Sequence, residues 1–194
     1  MTALLILAAG SSSRLGQPKQ KLFYKGRSLL QRAVDEGLAS DCSDVLVVLG
    51  ASEESVRIEI DQKDVRIVVN KDWKKGMSSS IKCGINALIK NKPEISQAII
   101  MLCDQPFVNA EILNRLITAK QLSGKPIVAC AYNNTLGTPV LFSQTYFSQL
   151  LSLEGQLGAK KLVFNNQDQV VSVPFPFGNI DIDTIEDYEK LREI

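Results

Sequence analysis

The chain contains no histidine. That excludes histidine triads, histidine metal ligands and a histidine general base. Aromatic residues make up only 6%, with a single tryptophan. Neither sign of charge dominates: 22 basic and 21 acidic residues leave a formal net charge of +1. No global field therefore draws the protein to nucleic acid or to an acidic membrane, and any bound anion must be held by locally placed lysine and arginine. No apolar run reaches the ~18 residues that a membrane helix needs. Cys42, Cys83, Cys103 and Cys130 are widely spaced and form no C-x-x-C pair. They read as free thiols, and reduced thiols fit a cytoplasmic protein. Two glycine-rich fingerprints are also missing. Neither G-x-x-x-x-G-K-[ST] nor G-x-G-x-x-G occurs, so there is no P-loop and no dinucleotide turn, and a dehydrogenase is disfavoured.

What is present is ordinary globular material. The 194 residues, 45% apolar, suit one domain over 1–194 with a sizeable core. The start, MTALLILAAG, lacks a basic n-region and reads as a first strand rather than a signal peptide. Short apolar runs at 3–8, 44–50, 65–70, 97–104, 126–132, 138–142 and 169–175 read as strands. Helical spacing appears at 28–39, 52–61, 78–90, 109–122, 143–153 and 184–194, with Ser52, Asn109 and Thr184 as expected caps. Residues 132–158 break the pattern and read as an excursion within the domain. Strand–helix alternation from the first residue predicts an α/β fold, a mostly parallel sheet with helices on both faces.

In such a sheet ligands bind beyond the carboxyl ends of the strands. After the first strand come Gly10, Ser11, Ser12, Arg14, Gly16 and Lys19. Small residues let the backbone approach a ligand, and two cations from one loop suit a polyphosphate; the alternative is a solvated loop. Asp104 ends an apolar run and is either a Mg²⁺ ligand beside substrate phosphates or the cap of a turn containing Pro106. Asp181 and Asp183 alternate on one extended stretch, so both carboxylates can share a face; they either complete a metal site or lead into a helix N-terminus. The segment GMSSSI offers Gly76 and Ser80 either to a nucleotide or as a helix cap, and Trp73 anchors the loop before it.

Together these stretches resemble a known family. LAAGSSSRLGQPKQKL, NKDWKKGMSSSI, MLCDQPFV, GTPVLF and DIDTIEDYEKL occur in the order found in nucleotidyltransferases related to the molybdenum cofactor cytidylyltransferases. The resemblance runs the full length. It implies a doubly wound three-layer sandwich with a mixed sheet, of the Rossmann-like nucleotidyltransferase type. It implies Mg²⁺-dependent transfer of CMP from CTP to molybdopterin with release of pyrophosphate, and a molybdoenzyme or its chaperone as a candidate partner. Another NTP, a sugar or alcohol phosphate acceptor, and a non-catalytic cofactor-binding chaperone are the alternatives. On this chain the resemblance implies catalytic roles for Arg14, Lys19 and Asp104. It implies nucleotide contacts from Leu7, Ala8, Ala9, Gly10, Ser11, Ser12, Asn70, Gly76 and Ser80, with Asp104 and Asp183 as metal ligands. Gln105, Pro106, Thr138, Pro139 and Lys160 fall on the acceptor side. Many relatives read G-D-x-G-A-R where this chain has GQLGAK at 155–160, and many carry histidine where Thr138 stands.

Overall fold

The apolar run behind the first loop is a strand, β1 (Thr2–Ala8), buried along its whole length. The structure, a computed structural model, describes residues 1–156 and 158–194. A two-residue hairpin follows, β2 (Phe23–Tyr24) and β3 (Arg27–Ser28), then α1 (Leu29–Leu38), β4 (Asp44–Leu49), α2 (Glu53–Arg57) and β5 (Arg66–Val69). Next come α3 (Met77–Asn91), β6 (Gln97–Leu102), α4 (Ala110–Ser123), β7 (Ile127–Tyr132) and β8 (Thr135–Ser143). The chain closes with α5 (Phe147–Leu151), α6 (Lys160–Asn165), β9 (Val170–Pro174) and α7 (Ile185–Arg192).

Among the described residues the main sheet runs β5-β4-β1-β6-β8-β7-β9. β1 pairs in parallel with both β4 and β6, and β4 with β5. Only β8 runs against its neighbours β6 and β7, and β9 lies parallel to β7. The sheet is therefore mixed and mostly parallel, as the alternation predicts.

Side-chain alternation along β1 builds the three layers. Leu4, Ile6 and Ala8 face one apolar cluster with Leu30 and Val34 of α1 and Leu113 and Leu116 of α4. Ala3, Leu5 and Leu7 face the other, with Ile81, Ile85 and Leu88 of α3 and Leu150 of α5. A third, smaller cluster joins Leu15 and Leu22 of the first loop to Ile182 and Leu191 near the C-terminus. That cluster draws two distant loops to one end of the sheet.

Close packing of α3 on β1 depends on Gly84. A Cβ there would lie 2.3 Å from Leu5 Cδ1, and Leu5 is fully buried. Gly84→Ala gains ~1 kcal/mol of helix propensity, but overpacking costs ~1–3 kcal/mol. The expected result is a lower urea midpoint with an unchanged m value.

Several sequence expectations shift in detail. Ser28 and Thr184 form capping boxes, and Asn109 caps α4 through Ile112 N. Ser52 does not cap: it sits at φ 58° and its side chain makes no capping bond, and the helix expected over 52–61 shrinks to Glu53–Arg57. Leu38 and Ile89, which the helical spacing over 28–39 and 78–90 places on the apolar faces, are exposed at the ends of their helices. The segment 143–153 divides into a 3-10 turn at 144–146 and α5.

Candidate functional site

Parallel pairing sends the loops after β1 and β6 to the same edge. A cleft of about 420 Å³ opens there. Its lining includes Leu7 and Ala8 at the end of β1, Ala9, Gly10, Ser11 and Lys19 from the loop that follows, and Asp104 after β6. Gly76 and Ser80, at the start of α3, close the opposite wall with Trp73 and Met77.

The loop is held from behind by Gln20. Its buried amide Nε2 donates to Ala8 O at 2.8 Å and Gly10 O at 3.0 Å. Those bonds fix the two carbonyl oxygens and offset part of their negative charge. Ser12 Oγ accepts from Lys19 N at 3.0 Å, which fixes the backbone from which the lysine departs. Nothing in the sequence marks Gln20 for burial, since it stands between two lysines in a polar stretch.

Lys19 is the centre of the site. Its Nζ donates to Asp104 Oδ2 at 2.5 Å and to Asp183 Oδ1 at 2.8 Å. The side chains of Lys19 and Asp104 are only 15% and 10% exposed. Burial alone would lower the lysine pKa, but the Asp104 charge and hydrogen bonds from Asp104 and Asp183 outweigh it and raise the value. The Lys19 hydrogen bond holds the Asp183 carboxyl below the ordinary carboxylate range. A raised lysine value contributes stability that is lost as pH rises through it; a lowered carboxylate value contributes stability that is lost as pH falls through it. At neutral pH the Lys19–Asp183 contact is therefore fully charged.

Asp183 reaches the site because the segment before α7 is strand-like. Ile182 N donates to Asp104 O at 3.1 Å while its side chain is buried in the third cluster. The carboxylate of Asp187, not that of Asp183, accepts from the Thr184 N–H and hydroxyl, and so leaves Asp183 for Lys19. Asp183 also accepts from Arg14 at 2.8 Å. Arg14 is 67% exposed and does not line the cleft. Asp181 makes no contact with Lys19 among the described residues. Its carboxyl is pushed up by partial burial and by the nearby charges of Asp104 and Asp183.

Other expected residues support the site from outside the cleft lining. Asn70 Nδ2 donates to Ser79 Oγ and Ser80 Oγ, at 2.8 and 3.0 Å, and anchors the first turn of α3. Gln105 is buried, and its Nε2 ties the turn after β6 to Thr138 O and Gly178 O, at 3.2 and 2.9 Å. Pro139 follows Thr138 through a cis bond. Pro106 O accepts from Arg32 at 3.4 Å. Lys160 lies away from this cluster, exposed at the start of α6, with its ammonium over the Phe164 ring. Within the 155–160 segment Gln156 lines the cleft, and Leu157 lies outside the described residues. The buried thiols of Cys103 and Cys130 are pushed up to about 12, chiefly by burial, and are not poised nucleophiles.

Gly50 sets the width of the loop. A Cβ there would stand 2.8 Å from Ala9 Cβ, Ala9 O and Trp73 Cβ, and Ala9 and Trp73 line the cleft. Gly50→Ala displaces both walls and is expected to raise the nucleotide KM by about tenfold, within the cost of misplacing a binding group by less than 1 Å. Steady-state kinetics on the folded variant checks this.

Residues 4–170 match the family described as the MobA-like NTP transferase domain. The chain belongs to this family. It is accordingly a nucleotidyltransferase with the α/β fold of that group. Along 97% of its length it is 29% identical to the purine catabolism protein PucB of Bacillus subtilis, and it covers 94% of that protein. A 116-residue match at 38% identity, 59% of this chain, joins it to nicotine blue oxidoreductase of Paenarthrobacter nicotinovorans; the match spans about half (55%) of that relative. Identity to the molybdenum cofactor cytidylyltransferase of Escherichia coli is 23%, over 97% of this chain and 94% of the relative. Among solved structures, Rv0371c of Mycobacterium tuberculosis superposes with a TM-score of 0.87 at 31% identity, over 100% of this chain and 97% of that one. A complex of Rv0371c with manganese superposes with a TM-score of 0.82 at 29% identity, over 99% and 98%.

Proposed function

We propose that this MobA-like nucleotidyltransferase transfers CMP from CTP to molybdopterin and releases pyrophosphate. The observation that carries nucleotidyl transfer is the buried Lys19 at the floor of the cleft, between Asp104 and Asp183. The full-length likeness to a molybdenum cofactor cytidylyltransferase supports the finer choice of donor and acceptor.

The residues present fit a divalent cation. Asp104 Oδ1 is buried without a partner among the described residues, and Asp183 is beside it across Lys19. Two carboxylates completed by phosphate oxygens and water suit Mg²⁺, a hard cation that is seldom caged by protein alone. Asp104 and Asp183 would hold it, and when bound it would neutralise triphosphate charge and polarise the reacting phosphate. The manganese complex of Rv0371c supports a metal-dependent reading.

The remaining steps belong to the chain's own residues. Ala8 to Ser11 and Gly76 border the triphosphate, with Gln20 keeping the carbonyls of Ala8 and Gly10 occupied. A phosphate oxygen of the acceptor forms a bond to the α-phosphorus, and the bond from that phosphorus to the bridging oxygen of pyrophosphate breaks. The acceptor phosphate is largely dianionic at neutral pH, with a second pKa of ~6, so no general base is required. A chain without histidine loses nothing by this. Lys19 offsets charge on the α-phosphate and the leaving group, and Arg14, outside the cleft lining, acts through its bond to Asp183. Four free cysteines accord with a reducing, cytoplasmic setting.

The likeness over 116 residues to a protein named as an oxidoreductase favours a second reading, a redox reaction, for which NAD(P)H serves as the probe although the dinucleotide turn is missing. One assay separates the two. Pyrophosphate release is measured with each of the four NTPs and Mg²⁺, with and without molybdopterin, beside NAD(P)H oxidation. CTP-selective release that needs molybdopterin is expected. Oxidation of NAD(P)H without pyrophosphate release would favour the second reading.

A further inference from the structure

We propose that the Lys19 ammonium is the resident counter-ion of the Asp104–Asp183 pair in the nucleotide-free protein, and that only metal and triphosphate together displace it. The inference rests on the nucleotidyl-transfer reading and assigns a second role to a residue of that site.

Three oxygens surround the ammonium: Asp104 Oδ2 at 2.5 Å, Asp183 Oδ1 at 2.8 Å and Ile182 O at 3.4 Å. A divalent cation using the same carboxylates would sit within a few ångströms of this positive charge. The two cations repel, so Lys19 must leave before the pair can act as a ligand set. With Lys19 in place and Arg14 on the other oxygen of Asp183, the two carboxylates and two cations sum to no net charge, a weak lure for a bare divalent ion. No group of three histidine, cysteine, aspartate or glutamate side chains placed to hold a metal ion occurs among the described residues. A metal alone would therefore find few protein ligands and one competing cation.

A triphosphate changes both conditions. It supplies the missing oxygen ligands and gives Lys19 a new anionic partner in the cleft that the lysine already lines. Only the side chain needs to turn, because the Lys19 backbone is pinned by Ser12 Oγ and its neighbour Gln20 is fixed to the loop. The buried, unpartnered Asp104 Oδ1 is then free to complete the ligand set. Metal and nucleotide are coupled in this way through one lysine, and coupling of binding free energies is reciprocal.

The test uses Mn²⁺ alone, followed by the free-ion electron paramagnetic resonance signal, in the full chain and in Lys19→Met. The variant is expected to bind Mn²⁺ at least tenfold more tightly than the wild type. A CTP analogue with a methylene α–β bridge should tighten Mn²⁺ binding at least tenfold in the wild type and much less in the variant. Equal Mn²⁺ affinity in the two proteins, or weaker binding by the variant, overturns the proposal. A measurement on the wild type guards against a variant that does not fold. The ¹⁵Nζ signal of Lys19 should stay in place with Mg²⁺ alone and move when Mg²⁺ and analogue are added together. Movement with Mg²⁺ alone contradicts the proposal. None of these outcomes depends on turnover, so pyrophosphate release remains a separate test of the function itself.

Discussion

Lys19→Ala is expected to lower kcat for pyrophosphate release by about 10²–10³, the range for removing one preorganised donor to developing charge. The ammonium is buried, hydrogen-bonded to two carboxylates and exposed to the cleft on one side. It can therefore follow charge as it grows on the leaving pyrophosphate without being diluted by water. An interaction stronger in the transition state lowers kcat and kcat/KM together, whereas loss of uniform binding raises KM alone. The substitution also leaves Asp104 and Asp183 without their shared cation, so some stability is lost. Kinetics below the unfolding transition, checked by circular dichroism, separate the two effects. An unchanged kcat would remove Lys19 from the chemistry.

Asp104→Asn should do more damage to activity and less to the fold. The amide keeps the shape of the carboxylate, and Lys19 keeps Asp183 as a partner. What disappears is the buried negative charge at the carboxyl end of β6. Losing ~4 kcal/mol of transition-state charge stabilisation corresponds to about 10³ in rate. We expect a fall of that size, with little change in the thermal midpoint. Residual activity should need more divalent metal than the wild type. A variant with wild-type metal dependence would place the metal elsewhere.

The main framework was legible because its signals are redundant. β1 is apolar at every position from Ala3 to Ala8, as a strand buried on both faces must be. Asn109 and Thr184 mark real helix starts because each hydroxyl or amide oxygen finds a backbone N–H. Ser52 carries the same chemical promise but lies in a left-handed conformation that aims it elsewhere. The β2–β3 hairpin and α6 are too short to show a period. The direction of β8 is signalled by Asn133 and Asn134, which both take positive φ and make the two-residue turn of a hairpin.

The site was legible in composition and not in contacts. Position after β1 and β6 singles out the first loop and Asp104, and both line the cleft. Alternation cannot choose between Asp181 and Asp183. The choice falls to Ile182, which enters the core, and to Asp187, which takes over the helix cap. Asn70 and Gln105 look like ligand contacts in a motif, yet each also spends its amide on fixing a neighbouring segment. The pairing of Lys19 with two acids is invisible in sequence, because it joins residues 85 and 164 positions apart.

The most direct measurement follows the α-phosphorus itself. The protein is incubated with Mg²⁺, molybdopterin and CTP labelled with ³²P at the α-position. The label is expected in the acceptor product, in a one-to-one ratio with pyrophosphate released, and Lys19→Ala should slow both together. Label that stays on nucleotide while the γ-phosphate is released would mean attack at another phosphorus, and would contradict nucleotidyl transfer at this cleft.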